Sequence, residues 1–268
     1  MGQIFCITSQ KGGVGKTTTT LNLGLVFSGL GQKTLLIDAD PQGGLIYALN
    51  SRAPTEQESR RGLYQVFSGL ADIDEIARPV CKPELYLADC GIANTVLDFE
   101  ALEDAVQARG LFREALLSAA PHYDLILIDC PPGLGLLSVS ALISCDYVLI
   151  PIQSEPLALR TLPPLIRYLI SVKQAENTRM ELVGLLLTMH DAESPVSEAV
   201  KEQLGTYFDE DLVFKTVIPR DPSLHELFTG STRLMELYDT LKPLSAGLQA
   251  YERLVREIEM KMYKNHMV

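Results

Sequence analysis

Short, wholly apolar runs alternate along this chain with longer segments whose apolar positions recur every three or four residues. Ile4-Phe5-Cys6-Ile7, Leu35-Leu36-Ile37 and Leu125-Ile126-Leu127-Ile128 have no polar face, as strands covered on both sides require. Strands are expected at 3–8, 33–37, 85–88, 124–128, 147–151, 182–187 and 213–217, with helices between them. Such alternation builds a mostly parallel twisted sheet flanked by helices on both faces, so the fold class is α/β. Over 50–83 the pattern is broken by Pro54, Pro79, Pro83 and several charges; it reads as a surface excursion with one short helix near 62–69. At the far end Leu244, Leu248, Tyr251, Val255, Ile258 and Met262 mark the apolar face of a terminal helix. Lys242, Arg253, Arg256 and Lys264 form a basic stripe on a neighbouring face.

A chain of 268 residues with 47% hydrophobic content can bury a large core, and residues 1–268 are expected to form a single domain. No run approaches the length of a membrane-spanning helix, and the first strand begins with no leader ahead of it, so a cytoplasmic protein is expected. Met1-Gly2 opens a myristoylation motif that Cys6 breaks, since Ser or Thr is needed there. The cysteines, Cys6, Cys81, Cys90, Cys130 and Cys145, are odd in number and hold no C-x-x-C pair, as reduced thiols packed in a core would be. A formal net charge of −11 excludes a surface that binds nucleic acid everywhere and leaves only a local patch for it.

Polar punctuation falls at the ends of three apolar runs, where open α/β sheets bind ligands. The first stretch, residues 10–19, reads QKGGVGKTTT and leads into the helix-spaced Leu21, Leu23 and Leu25. Gly12, Gly13 and Gly15 let the backbone curl so that its N–H groups point inward, and the helix start adds a positive dipole end. In such a loop Lys16 reaches the β- and γ-phosphates of a nucleoside triphosphate and the Thr17 hydroxyl ligates magnesium. The strict G-x-x-x-x-G-K-[ST] spacing fails at Gln10, where its first glycine belongs, and Lys11 follows. The second stretch is Asp38-Ala39-Asp40-Pro41-Gln42-Gly43, whose two carboxylates at alternate positions of an emerging strand can face one site. The third is Asp124-Leu125-Ile126-Leu127-Ile128-Asp129-Cys130-Pro131-Pro132, a Walker-B strand in which Asp129 holds magnesium through water and Asp124 is structural.

With a lysine ahead of its first glycine, KGGVGKT resembles the deviant Walker A loop of the ParA/MinD group of P-loop ATPases, and Asp38 to Gly43 is similar to that group's D-x-D-P-Q-[GS] segment. The resemblance extends from the first strand to Ala250-Tyr251 and is nearest to small, chromosome-type ParA/Soj partition ATPases. It implies the deviant Walker A P-loop fold, ATP and Mg2+ as cofactors, and a sandwich homodimer formed with ATP. By that resemblance Lys11 crosses to the partner's nucleotide, Asp38 supports the magnesium shell with Thr17 and Asp129, and Asp40 orients the attacking water. Lys11, Lys16 and Asp40 are then the catalytic residues, and the loop Gly133-Leu134-Gly135 senses the γ-phosphate. The ATP site comprises Lys11, Gly12, Gly13, Val14, Gly15, Lys16, Thr17 and Thr18, with Met189, Pro219 and Asp221 on the base side. Hydrolysis is expected to be slow until a partner stimulates it.

The same resemblance implies nonspecific DNA, a ParB-like adaptor and association with the nucleoid. A membrane partner is not expected, because Glu259 to Val268 lacks the Phe- and Leu-rich basic tip of MinD-type anchors. Two departures bear on DNA: Asp191-Ala192-Glu193-Ser194 stands where relatives carry Asp-Ala-Arg-Thr, and Ser223 stands where they carry a second arginine. Arg220, Arg233, Arg253 and Arg256 are the cations left to contact phosphates. The alternatives are a MinD-like positioning ATPase tethered to membrane or protein, and a nucleotide-binding scaffold that scarcely hydrolyses.

Overall fold

The computed structural model describes residues 2–49, 61–91, 98–99, 105–226 and 245–265. In chain order the elements are β1 (Gln3–Ile7), α1 (Lys16–Gly29), β2 (Thr34–Asp38), α2 (Gly44–Ala48), α3 (Leu63–Phe67), α4 (Ile73–Ile76), β3 (Arg78–Pro79), β4 (Leu85–Asp89), α5 (Ala105–Ala119), β5 (Leu125–Asp129), α6 (Leu136–Ser144), β6 (Tyr147–Gln153), α7 (Pro156–Ala175), β7 (Glu181–Thr188), α8 (Pro195–Tyr207), α9 (Pro222–Glu226) and α10 (Ala246–Asn265). Seven strands form one sheet in the order β3-β4-β2-β5-β1-β6-β7. All neighbours are parallel except β3 with β4.

The period of two in the strands divides the interior between the two faces of the sheet. Leu35, Ile37, Ile126 and Ile128 pack on one side with Phe67, Phe112, Leu142 and Leu165 from α3, α5, α6 and α7. Leu36, Leu125 and Leu127 pack on the other with Leu21 and Leu25 of α1 and Leu254 and Ile258 of α10. Gly24 permits the close seat of α1, because a Cβ there would lie 2.6 Å from Leu36 Cδ2. Burying each such Leu or Ile contributes about 1.5–3 kcal/mol, so both helix layers are held by the strands they cover.

Six of the seven expected strands form, and β2, β4 and β5 each end on an aspartate, Asp38, Asp89 and Asp129. The expected strand at 213–217 does not form. Its backbone meets β7 at one isolated bridge, Leu185 to Val213, and a second bridge, His190 to Pro219, lies past the ends of both segments. Phe214 and Ile218 still donate their N–H groups to the Leu185 and Leu187 carbonyls of β7, but between them the Lys215 and Thr216 N–H groups donate to the two oxygens of Glu257 on α10, at 2.7 and 2.9 Å, which interrupts the ladder. The second correction concerns the excursion expected over 50–83, of which 50–60 lie outside the described residues: its short helix forms as α3, but the segment is anchored in the core, since Leu63, Val66, Phe67 and Ile73 are buried and Phe67 stacks on Phe112 at 4.5 Å. The terminal helix buries Leu248, Tyr251, Val255 and Ile258 as expected, while Leu244 and Lys242 lie outside the described residues.

Candidate active site

The C-terminal ends of β1, β2 and β5 lie side by side, since Ile7 and Asp38 are both register partners of Asp129. The chain leaves β1 at Ile7 and enters α1 at Lys16, with Gly13 (φ 73°) and Gly15 (φ 88°) in the left-handed region that favours glycine. No atom lies within 4 Å of a Cβ placed at Gly12 or Gly13, so the space these residues face is open. The loop is pinned from behind. The Thr188 hydroxyl donates to the Val14 carbonyl at 2.8 Å, and the Gly133 N–H donates to the Ser9 carbonyl at 3.2 Å. The second contact brings the loop containing Gly133 and Gly135 against the glycine-rich one.

Lys16 is buried, Thr17 and Thr18 are half-buried, and the Lys16 ammonium acts electrostatically on Asp129. Both Asp129 oxygens are buried without a hydrogen-bond partner. Burial pushes this carboxyl up to about 7, against the opposing pull of the Thr17 hydroxyl and the Lys16 ammonium. Asp38, also fully buried, is raised by burial and then by the charge of Asp129, while the Leu45 N–H donates to its Oδ2 at 2.9 Å. Two buried carboxylates beside a threonine hydroxyl, one of them with no partner within hydrogen-bond distance, fit a hard divalent cation that keeps part of its water shell. Asp40 is half-buried and caps its own turn, accepting the Gln42 N–H at 3.0 Å. Gly44 brings this turn against the helix start, since a Cβ there would lie 2.9 Å from Thr17 Cγ2.

The aspartate row has a third member that the sequence did not single out. Asp89, the register partner of Asp38, is neutralised by Arg78 at 2.6 Å and accepts the Gly91 N–H at 2.8 Å, so its carboxylate is already partnered, unlike that of Asp129.

Beside α1 a cavity of about 370 Å³ is lined by Gly15, Thr18, Met189, Pro219, Asp221 and Tyr251, among others. Its apolar walls and its place next to the phosphate loop suit a purine base. Met189 and Pro219, two of the residues expected on the base side, line it. Asp221 lines it too, but its oxygens already accept from Ser223 N–H at 2.9 Å, Ser223 Oγ at 2.7 Å and Gly247 N–H at 2.7 Å. Burial pushes its carboxyl up, yet the bonds from Gly247, Ser223 and Ser245 outweigh that and hold it below the ordinary carboxylate value.

Lys11 does not point into solvent. Its ammonium donates to Glu155 Oε2 at 2.8 Å and Gln153 Oε1 at 3.0 Å, both of its own chain. Neither acceptor was singled out in the sequence; the signal for them is a polar triplet, Gln153-Ser154-Glu155, that ends the apolar run of β6.

A family model described as an AAA domain matches residues 2–182. The sporulation initiation inhibitor protein Soj of Bacillus subtilis is 38% identical over 259 residues, spanning 96% of this chain and 98% of that protein. The chromosome partitioning protein ParA of Caulobacter vibrioides is 38% identical over 261 residues, spanning 96% and 93%. The chain belongs to the Soj/ParA family of chromosome-partitioning ATPases. The septum site-determining protein MinD of Pyrococcus horikoshii, solved with Mg-ADP, superposes with a TM-score of 0.73 at 26% identity, covering 96% of each chain.

Of the Soj/ParA-like cations assigned to DNA, Arg220, Arg253 and Arg256 are exposed, and Arg253 and Arg256 lie one turn apart on α10. Arg233 lies outside the described residues. At the two departures, Ser194 caps α8 by accepting the Ser197 N–H at 3.4 Å, exposed Glu193 follows the Asp191 turn, and Ser223 binds Asp221. Among the described residues no helix is long and apolar enough to cross a membrane.

Proposed function

We propose that the protein is an ATP-driven switch in which two copies close over two Mg-ATP molecules, bind DNA nonspecifically while closed, and are released by hydrolysis that a ParB-like adaptor stimulates. The observation that carries this is the unpartnered, fully buried carboxylate of Asp129 beside Asp38 and Lys16 at the mouth of an open glycine loop. Loop N–H groups and Lys16 hold the triphosphate, the base enters the cavity at Met189 and Pro219, and Thr17, Asp38 and Asp129 hold the magnesium ion. When bound, that ion would supply neutralisation of the negative charge on the triphosphate. Asp40 orients a water in line with the γ-phosphorus. Lys11, moved from its own Glu155 to the partner's nucleotide, offsets the negative charge that builds on the bridging oxygen. No cation other than Lys11 is assigned to that charge, so turnover depends on association, and a switch localised in the cytoplasm on the nucleoid follows.

The deciding experiment is analytical ultracentrifugation with Mg-ATP, with and without Lys11→Ala, alongside phosphate release. Wild type should dimerise and hydrolyse, and Lys11→Ala should bind ATP yet lose dimer-dependent hydrolysis. Equal hydrolysis by the two proteins would sink the role given to Lys11. Association with anionic vesicles instead of DNA would favour the MinD-like alternative.

A further inference from the structure

The cradle that holds Lys11 is built between two strand ends. Gln153 and Glu155 grip the ammonium, and Gln153 Nε2 also donates to Glu155 Oε1 at 2.8 Å, so the two acceptors brace each other. The residue between them, Ser154, is buried and turns the other way. Its N–H donates to the Thr188 carbonyl at 3.1 Å, and its hydroxyl lies 3.3 Å from that carbonyl and 3.2 Å from His190 Nδ1. His190 is buried as well, and its other ring nitrogen meets Glu198 Oε1 of α8 at 2.9 Å. The imidazole therefore spans from the cradle to α8, fixed at both ends.

His190 is also tied to the base cavity by the backbone. It follows Met189, the one described non-glycine residue with a positive φ, 51°, and Met189 lines that cavity. A left-handed methionine costs about 1 kcal/mol or more and persists where its neighbours are fixed. Thr188 is fixed by bonds to Val14 and Ile152, and His190 by its backbone bonds to Ile218 and Arg220 and by its ring.

We infer that His190 is a positioning residue: through Ser154 it sets the Gln153–Glu155 cradle, and so governs how firmly Lys11 is kept in its own subunit. The consequence for association rests on the proposed transfer of Lys11 to a partner, whereas the cradle itself is a property of the single chain.

The test measures acetylation of Lys11 by a limiting amount of N-hydroxysuccinimide acetate in the nucleotide-free protein, by peptide mass spectrometry, relative to exposed Lys215. His190→Phe fills the same space without either bond, His190→Gln retains only the reach to Glu198, and His190→Asn retains only the bond to Ser154. Phe and Gln should raise Lys11 labelling about fivefold, the worth of one hydrogen bond, and Asn should stay near wild type. Wild-type labelling in both Phe and Gln, or equal labelling in Asn and Phe, overturns the inference. Should His190→Phe fail to fold by circular dichroism, Ser154→Ala severs the same bridge from its other end and is judged by the same readout. Dimerisation with Mg-ATP, measured in parallel, separates the two ideas: raised labelling without any dimer sinks the proposed Lys11 transfer and leaves the cradle standing. Unchanged labelling with normal dimerisation sinks the cradle alone.

Discussion

Asp38 and Asp129 are register partners on adjacent strands, both fully buried, and each raises the other's cost of carrying charge. An unfolded aspartate loses its proton near 4, whereas burial holds the Asp129 proton up to about 7. Between those values the folded chain keeps a proton that the unfolded chain has released, so the nucleotide-free fold loses stability as pH rises through about 4 to 7. Asp129→Asn removes one of the two charges. Its nucleotide-free melting temperature at pH 8 should exceed wild type by about 3 °C or more, and the difference should close near pH 4. Calorimetry across that range checks the sign, and wild type alone should gain from added Mg-ATP.

Lys16 is buried at the helix start with Asp129 as its electrostatic counterpart. Truncating one member of a buried charged set that also binds ligand costs about 2–5 kcal/mol. Lys16→Ala should therefore weaken Mg-ATP binding by about 100-fold or more in titration calorimetry. A loss below tenfold would move the phosphate contact elsewhere.

Asp40 accepts a bond from its own turn and leaves the burial to Asp38, so its removal should spare the fold and nucleotide affinity. Asp40→Ala should slow hydrolysis by about 100-fold or more, as loss of a water-orienting group does. With ATP it should persist as a dimer in size-exclusion chromatography, and a variant found only as monomer would contradict this role.

The phosphate side was legible because its geometry is local: a strand, a glycine turn and a helix start are contiguous in sequence, and each aspartate of the pair ends its own apolar run. What was hidden depends on partners distant in sequence. Glu155 grips Lys11 across 144 positions, and Glu257 captures the N–H groups of Lys215 and Thr216, which turns an apolar strand candidate into a bridge. Asp89 also follows an expected strand, but what sets it apart, its neutralising partner Arg78, belongs to a two-residue edge strand too short to carry a periodic signal. Phe67 was missed as core because its five-residue helix, though expected, is too short to show an apolar face and sits in a stretch broken by prolines and charges.

Phe67 gives that last point a measurable form. It is 1% exposed and stacks on Phe112 with a 10° interplanar angle. Phe67→Ala should destabilise by about 3–5 kcal/mol in urea, the cost of a large cavity, while sparing nucleotide binding in the folded fraction. A surface excursion would show less than about 0.5 kcal/mol.

Arg253 and Arg256 present two adjacent cations on the outer face of α10, and the net charge of −11 makes the rest of the surface a poor ligand for phosphates. If this face meets DNA, each arginine that neutralises a phosphate adds about 0.9 to the slope of log affinity against log salt. Replacing both with alanine should lower the ATP-dependent DNA affinity and reduce that slope by about 2, at unchanged ATP-dependent dimerisation. The exposed position of both side chains predicts no loss of stability, so thermal melting serves as the control. An unchanged slope in fluorescence-anisotropy titrations would move the DNA contact to Arg220 or to residues outside the described ones.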